Sequence, residues 1–249
     1  MSFGVVEGEP NAPHDALTVS AIVDHPFGPV TFTGERWALP DVRLLAPVLP
    51  SKVIGIGRNY AAHAAELGNE VPAAPLVFLK PSTSVIGPLD AIRLPADSQR
   101  VEYEGELAVV IGGVVRDVPR ERALAVVLGF TCGNDVTARD QQQADGQWTR
   151  AKGHDSFCPL GPWIETVLDP ADLALRTEVD GETKQDSRTS LLLHDVPTLI
   201  SYVSFIMTLL PGDVILTGTP AGVGPVQAGQ TVAVSIDGIG TLTNPVRNR

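Results

Sequence analysis

The 249-residue sequence predicts a mixed, β-rich α+β fold in which short strands dominate and helices are few. Three observations point there. Glycine (24 residues) and proline (21) are plentiful, so the chain turns often. Short apolar runs rich in valine and isoleucine recur, whereas stretches with helical periodicity are scarce. Two Asp-Gly pairs, Asp180-Gly181 and Asp237-Gly238, stand between strand-like flanks, the strongest short hairpin signal.

Taken in order, LTVSAIVD and PVTFTG read as strands, followed by a stretch punctuated by Pro40, Pro47 and Pro50. Residues 1–50 therefore read as a small N-terminal domain and residues 51–249 as the main one. SKVIGIG is a buried strand, and Asn59 is expected to cap a short helix in which Tyr60, His63, Glu66 and Leu67 follow at helical spacing. PLVFLK is another strand. VEYEGELAVVIGG alternates in its first half and is continuously apolar in its second, a strand whose far end is buried on both faces. Pro119 opens a short helix ending near Gly129, and FTCGNDVT returns to a strand or turn. LRTEVDGETKQDSR and VAVSIDGIGTLTN are hairpins. Between them Val196 to Leu210 gives the best helix, with Leu199, Val203, Ile206 and Leu210 on one apolar face. No internal repeat or low-complexity segment is present.

Composition narrows the function classes. Apolar residues at 43% and charged residues at 19% are ordinary for a globular protein. A net charge of −11 repels a phosphate backbone, so nucleic acid is not an expected partner. Binding an acidic small molecule would require a metal or a few placed cations to correct the field locally. Cys132 and Cys158, with no CxxC spacing, suit a reducing compartment. The N-terminus has no basic segment followed by an apolar core, and the apolar run Leu199 to Leu210 is interrupted by Ser201 and Ser204. A cytoplasmic location with no membrane partner is the expectation.

Glu102, Glu104 and Glu106 lie two apart, and a strand projects such residues onto one face. Three crowded carboxylates need a cation, protonation or full exposure. Hard divalent ions such as Mg²⁺, Mn²⁺ or Ca²⁺ prefer oxygen ligands of this kind. Asp135, in GNDVTARDQQ, is placed either to cap the next turn or to supply a further ligand. Arg139 and Gln142, three apart, share a helical face suited to a carboxylate. His63 and Glu66 are also three apart, so the carboxylate can orient the imidazole as a general base. Lys80 and Lys152 are ambiguous cations, and GTPAGVG offers backbone N–H groups to an anion. The Gly55-x-Gly57 pair lacks the third glycine of a dinucleotide fingerprint, and no GK[ST] follows the later glycines, which disfavours NAD and ATP.

GRNYAAHAAE, FLKPSTS, YEGELAVVIG, NDVTARD and PGDVILTGTPAGVGPV, in this order from about Ser51 to Asn244, resemble the blocks of the fumarylacetoacetate hydrolase superfamily. That group includes acylpyruvate hydrolases, oxaloacetate decarboxylases and hydroxyheptadienedioate isomerases. The resemblance implies a β-sandwich roll with peripheral helices and a small extra N-terminal domain, usually assembled as a homodimer. It implies Glu104, Glu106 and Asp135 as ligands of a divalent metal, Mg²⁺ or Mn²⁺ with Ca²⁺ as a further option. His63 and Glu66 become a dyad on a lid, with Lys152 assisting catalysis. Lys80, Arg139, Gln142 and Thr219 become substrate-pocket residues. The chain departs from many relatives at Thr189 to His194, whose contribution the sequence leaves open.

The partner so implied is a small 2-oxo or enol acid, which chelates such an ion through its carboxylate and adjacent carbonyl. Breaking the next carbon bond leaves an enolate, which Lys152 helps to stabilise. Hydrolysis of an acylpyruvate of the fumarylpyruvate type is the favoured reaction, because the His-Glu dyad suits water activation. Oxaloacetate decarboxylation and 2-hydroxyhepta-2,4-diene-1,7-dioate isomerisation are the alternatives. A non-enzymatic metal-binding protein would need neither the dyad nor Lys152.

Overall fold

The computed structural model describes residues 1–8 and 14–249 and divides into two compact units, Met1–Leu44 and Leu45–Arg249. The first is a three-stranded antiparallel sheet of Gly4–Glu7, Thr18–Ile22 and Phe32–Ala38. Thr18–Ile22 lies within the run LTVSAIVD, whereas Phe32–Ala38 overlaps PVTFTG only over its first three residues and continues past it, and Gly4–Glu7 is too short to show a pattern in sequence.

The second unit is built on a seven-stranded mixed sheet. Its order is Leu76–Lys80, Val53–Gly57, Val214–Leu216, Gly105–Ile111, Val127–Asn134, Cys158–Glu165, Val85–Ile86. Val53–Gly57 and Val214–Leu216 run parallel, and the central strands are antiparallel. Gly105–Ile111 is buried along its whole length, Glu106 included, and its apolar run Leu107–Ile111 is what both covered faces require. A five-stranded sheet is ordered Glu182–Arg188, Ala174–Val179, Thr231–Ile236, Gly240–Asn248, Ile92–Leu94. Thr231–Ile236 alternates buried and half-buried residues, the mark of one face turned to a core. Leu107, Val109, Ile111, Phe130 and Ile215 from the larger sheet share a single apolar cluster with Leu175, Val234, Ile236 and Leu242 from the smaller. The two sheets therefore pack as a sandwich.

Both Asp-Gly hairpins form. Asp180 and Gly181 take φ of 51° and 80°, the left-handed pair a two-residue turn demands. Helix Val196–Ile206 is capped by Asp195, whose side chain accepts from the Thr198 amide, and it lays Val196, Leu199, Ile200 and Val203 on the same core. It stops before Leu210 because Leu209 leaves to exchange backbone hydrogen bonds with Val115, each 2.9 Å. The segment after Pro119 is a 3-10 helix, Arg120–Val126, and the strand beginning at Val127 cuts it short of Gly129. Among the described residues no helix is long and apolar enough to cross a membrane.

Candidate active site

Strand pairing explains how Asp135 meets two glutamates twenty-nine or more positions earlier in the chain. Strands Gly105–Ile111 and Val127–Asn134 are antiparallel neighbours with Glu106 opposite Gly133 and Gly105 opposite Asn134. The next step of that register sets Asp135 against Glu104, and the Asp135 amide donates to the Glu104 carbonyl at 2.8 Å. Gly105 has no room for a side chain, since a Cβ there would lie 2.0 Å from Thr177 Oγ1. One carboxylate oxygen from each of Glu104, Glu106 and Asp135 lies within 4.8 Å of the others, and all three residues are buried.

Glu102 is not part of that cluster, contrary to the expectation of three glutamates on one face. Regular pairing breaks at Glu104, between strands Val101–Tyr103 and Gly105–Ile111, so the simple alternation does not run through it. Glu102 instead meets Arg139 Nε at 2.7 Å and Arg100 Nε at 2.5 Å.

The buried cations are engaged by these acids. Lys152 Nζ donates to Glu104 Oε2 and to Asp135 Oδ2, both at 2.6 Å. Lys80 Nζ donates to Asp135 Oδ1 at 2.6 Å and to the Val136 carbonyl at 3.3 Å. Arg139 Nη2 donates to Glu104 Oε1 at 2.5 Å and Nη1 to Gln142 Oε1 at 2.6 Å. Thr219 Oγ1 donates to the Gly105 carbonyl at 2.9 Å and accepts from Gln185 Nε2 at 2.7 Å.

Glu106 differs from its neighbours. It accepts from the Gly218 amide at 2.6 Å, and among the described residues no side-chain cation pairs with it. Burial first, and then Asp135 and Glu104, push its carboxyl well above the usual range. Burial also opposes ionisation of Glu104, but Lys152 and Arg139 outweigh it and hold that carboxyl below the usual range. Three buried carboxylates, one with no cation of its own, form an all-oxygen donor set that fits a hard divalent ion.

His63 and Glu66 sit on helix Ala61–Glu66 with Nδ1 and Oε2 3.5 Å apart. Burial, followed by smaller opposing effects of Glu104 and Arg139, lowers the His63 pKa, which favours the neutral ring a base requires. Both oxygens of Glu66 lie 3.1 Å from the Gly222 amide. The glycine-rich GTPAGVG segment thus serves the chain's own carboxylates, Glu106 through Gly218 and Glu66 through Gly222.

Asn59 does not cap the helix; Tyr60 holds that position. Its amide nitrogen donates to the His194 carbonyl (2.9 Å) and the Thr217 carbonyl (2.8 Å), and its oxygen accepts from the His194 amide (2.8 Å). This is what the divergent Thr189–His194 segment contributes: its end anchors the turn before the helix.

A cavity of about 210 Å³ is lined by His63, Glu104, Glu106, Asp135, Arg139, Gln142, Lys152 and Thr219. Lys80 is not among the residues that line it and stands behind Asp135, which its ammonium braces. Arg58, Asn69, Gln143 and Trp148 also line the cavity and were not singled out in the sequence. The Trp148 indole fills the space beside Gly57, where a Cβ would lie 2.6 Å from the ring.

Fold and site together define a β-sandwich protein with a cavity walled by buried carboxylates and a histidine. The chain belongs to the fumarylacetoacetate hydrolase family: residues 52–247 match the model described as fumarylacetoacetate (FAA) hydrolase C-terminal, and residues 1–47 match one described as Rv2993c-like, N-terminal. It is 59% identical over 249 residues to Protein Rv2993c of Mycobacterium tuberculosis, covering 99% of this chain and 94% of the relative. The crystal structure of 2-hydroxyhepta-2,4-diene-1,7-dioate isomerase from Mycobacterium marinum superposes with a TM-score of 0.93 at 56% identity, over 100% of this chain and 94% of the other. That of fumarylpyruvate hydrolase from Pseudomonas aeruginosa, in complex with Mn²⁺ and pyruvate, superposes at 0.75 with 35% identity, over 80% and 90%.

Proposed function

We propose that this chain is a divalent-metal-dependent enzyme that cleaves a carbon–carbon bond of a small 2-oxo or enol acid, with hydrolysis of an acylpyruvate as its reaction. The observation that carries this reading is His63, buried in the wall of the carboxylate cavity with Nδ1 turned toward Glu66. Glu104, Glu106 and Asp135 would hold the cation, which when bound polarises the 2-oxo group as a Lewis acid.

With Nδ1 facing Glu66, Nε2 is the nitrogen left to take a proton from water. The hydroxide adds to the acyl carbonyl, the bond to the pyruvyl carbon breaks, and its electron pair passes into the enolate of pyruvate. The imidazolium returns its proton to that carbon, so one water is consumed and a carboxylic acid and pyruvate leave. The Lys152 ammonium, fixed between Glu104 and Asp135, adds positive potential where the enolate charge develops. Glu66 keeps the imidazole in the required tautomer and is itself held by Gly222.

Isomerisation of a hydroxyheptadienedioate is the second reading, favoured by the isomerase name carried by the M. marinum relative. Decarboxylation of oxaloacetate is the third. The test is to incubate purified protein and Mg²⁺ or Mn²⁺ with acetylpyruvate, fumarylpyruvate, oxaloacetate and 2-hydroxyhepta-2,4-diene-1,7-dioate. Release of pyruvate and the matching acid from the acylpyruvates is expected. Turnover of the dienedioate alone, or of oxaloacetate alone, would replace hydrolysis by the corresponding alternative. A cytoplasmic homodimer belongs to the same proposal, and light scattering on the purified protein reads its mass.

A further inference from the structure

Three cations line the cavity: Arg58, Arg139 and Lys152. Arg139 and Lys152 are each paired with buried carboxylates. Arg58 is not: among the described residues it has neither a carboxylate partner nor a side-chain hydrogen bond. Its backbone is also unusual. Arg58 holds φ 56°, a left-handed conformation uncommon for a long side chain, one residue past strand Val53–Gly57. The bonds from Asn59 to His194 and Thr217, together with the Leu193 amide donating to the Asn59 carbonyl at 2.9 Å, fix the chain immediately after it. The backbone of a cavity-lining arginine is therefore fixed by an over-determined turn, while its side-chain donors are uncommitted among the described residues.

We infer that Arg58 is a specificity-determining residue that receives a second carboxylate, at the far end of the substrate chain from the 2-oxo acid group. This rests on the proposed function and narrows its substrate class to 2-oxo acids that are dianions. A protein of net charge −11 with a carboxylate-lined cavity repels such a dianion unless each negative end meets a cation. One end would meet the divalent cation that Glu104, Glu106 and Asp135 would hold. The other needs a cation not already neutralised from within, and an arginine fork suits a planar carboxylate through two parallel hydrogen bonds. No atom of the reacting bond is assigned to Arg58, so its contribution is binding and orientation.

The experiment compares 2-oxoglutarate with 2-oxovalerate, acids of equal chain length that differ only in a terminal carboxylate or methyl. Binding is measured by calorimetry on the full chain with Mn²⁺ present. Wild type should prefer 2-oxoglutarate, and Arg58→Gln should reduce that preference by roughly 10- to 100-fold, the range of a charge-assisted hydrogen-bonded pair. Arg58→Lys should restore part of it, because a point charge remains without the fork. Equal affinity of wild type for the two acids, or an unchanged ratio in Arg58→Gln with a normal melting temperature, would overturn the assignment. Turnover of the acylpyruvates is read separately. A lost preference with no hydrolysis in wild type would sink the reaction and keep Arg58, whereas hydrolysis with an unchanged ratio would do the reverse.

Discussion

Replacing Arg139 by methionine separates bracing from substrate binding. The guanidinium uses Nε on Glu102 (2.7 Å), Nη1 on Gln142 (2.6 Å) and Nη2 on Glu104 (2.5 Å). All three residue positions that contribute the charges, Arg139, Glu102 and Glu104, are buried. Arg139→Met leaves Glu102 with only the exposed Arg100, and Glu104 with only Lys152. Removing one partner of a buried ion pair costs about 3–5 kcal/mol, and two charge-assisted bonds at about 1.5–3 kcal/mol each give a similar figure. For a chain of this size about 1 kcal/mol moves the melting temperature by about 2–4 °C, so a fall of roughly 6–20 °C is expected. Circular dichroism melts measure it, with Arg139→Lys recovering only part because it cannot fork. A fall under about 2 °C, accompanied by an acylpyruvate KM raised more than about tenfold, would refute the bracing role and return Arg139 to the substrate.

Three further outcomes are expected. His63→Ala should lower kcat by about 10²- to 10⁴-fold while Mn²⁺ affinity stays near wild type, whereas Glu104→Ala should lose metal and activity together; calorimetric Mn²⁺ titrations and steady-state rates on both variants tell them apart. Because burial lowers the His63 pKa in the folded chain, the unfolded state binds more protons between that value and about 6.5, so its contribution to stability is complete above about 6.5 and is lost as pH falls through the folded value. The acid limb of kcat/KM should accordingly lie below about 6.5 in the wild type, and a limb above it would contradict the buried neutral ring. Finally, oxalate with Mn²⁺ should slow amide exchange in helix Ala61–Glu66 if that helix closes over the ligand; unchanged exchange there would remove the lid.

The parts legible in sequence are those whose cause is local. Asp180-Gly181 forms its turn because both residues tolerate positive φ, and Gly105–Ile111 is buried because nothing polar interrupts it after Glu106. The clustering of Glu104, Glu106 and Asp135 was readable from motif order, and strand register supplies its physical reason. What was not readable depends on distant partners. Asn59 looks like a helix cap until His194 and Thr217 take up its amide. Arg139 and Lys80 look like free cations until the buried acids around them are known. The helix after Asp195 keeps an apolar pattern to Leu210, and only its pairing with Val115 ends it sooner. Trp148 gives almost no local sign, since its place in the cavity wall depends on the space left by Gly57.

The parallel pairing of Val53–Gly57 with Val214–Leu216 bears on how the chain reaches its native state. Lys52 and Asp213 meet across 161 positions, and Val214–Leu216 is also what joins Val53–Gly57 to Gly105–Ile111. A ribosome must therefore extrude the polypeptide as far as Leu216 of its 249 residues before the centre of the large sheet can close. Until then Val53–Gly57 and Gly105–Ile111 each present an unpaired apolar edge, and such edges invite association with other nascent chains. Slow, late-committing folding follows from that topology. Yield in a heterologous host should then depend on synthesis rate and chaperone supply more than on the thermodynamic stability of the finished fold.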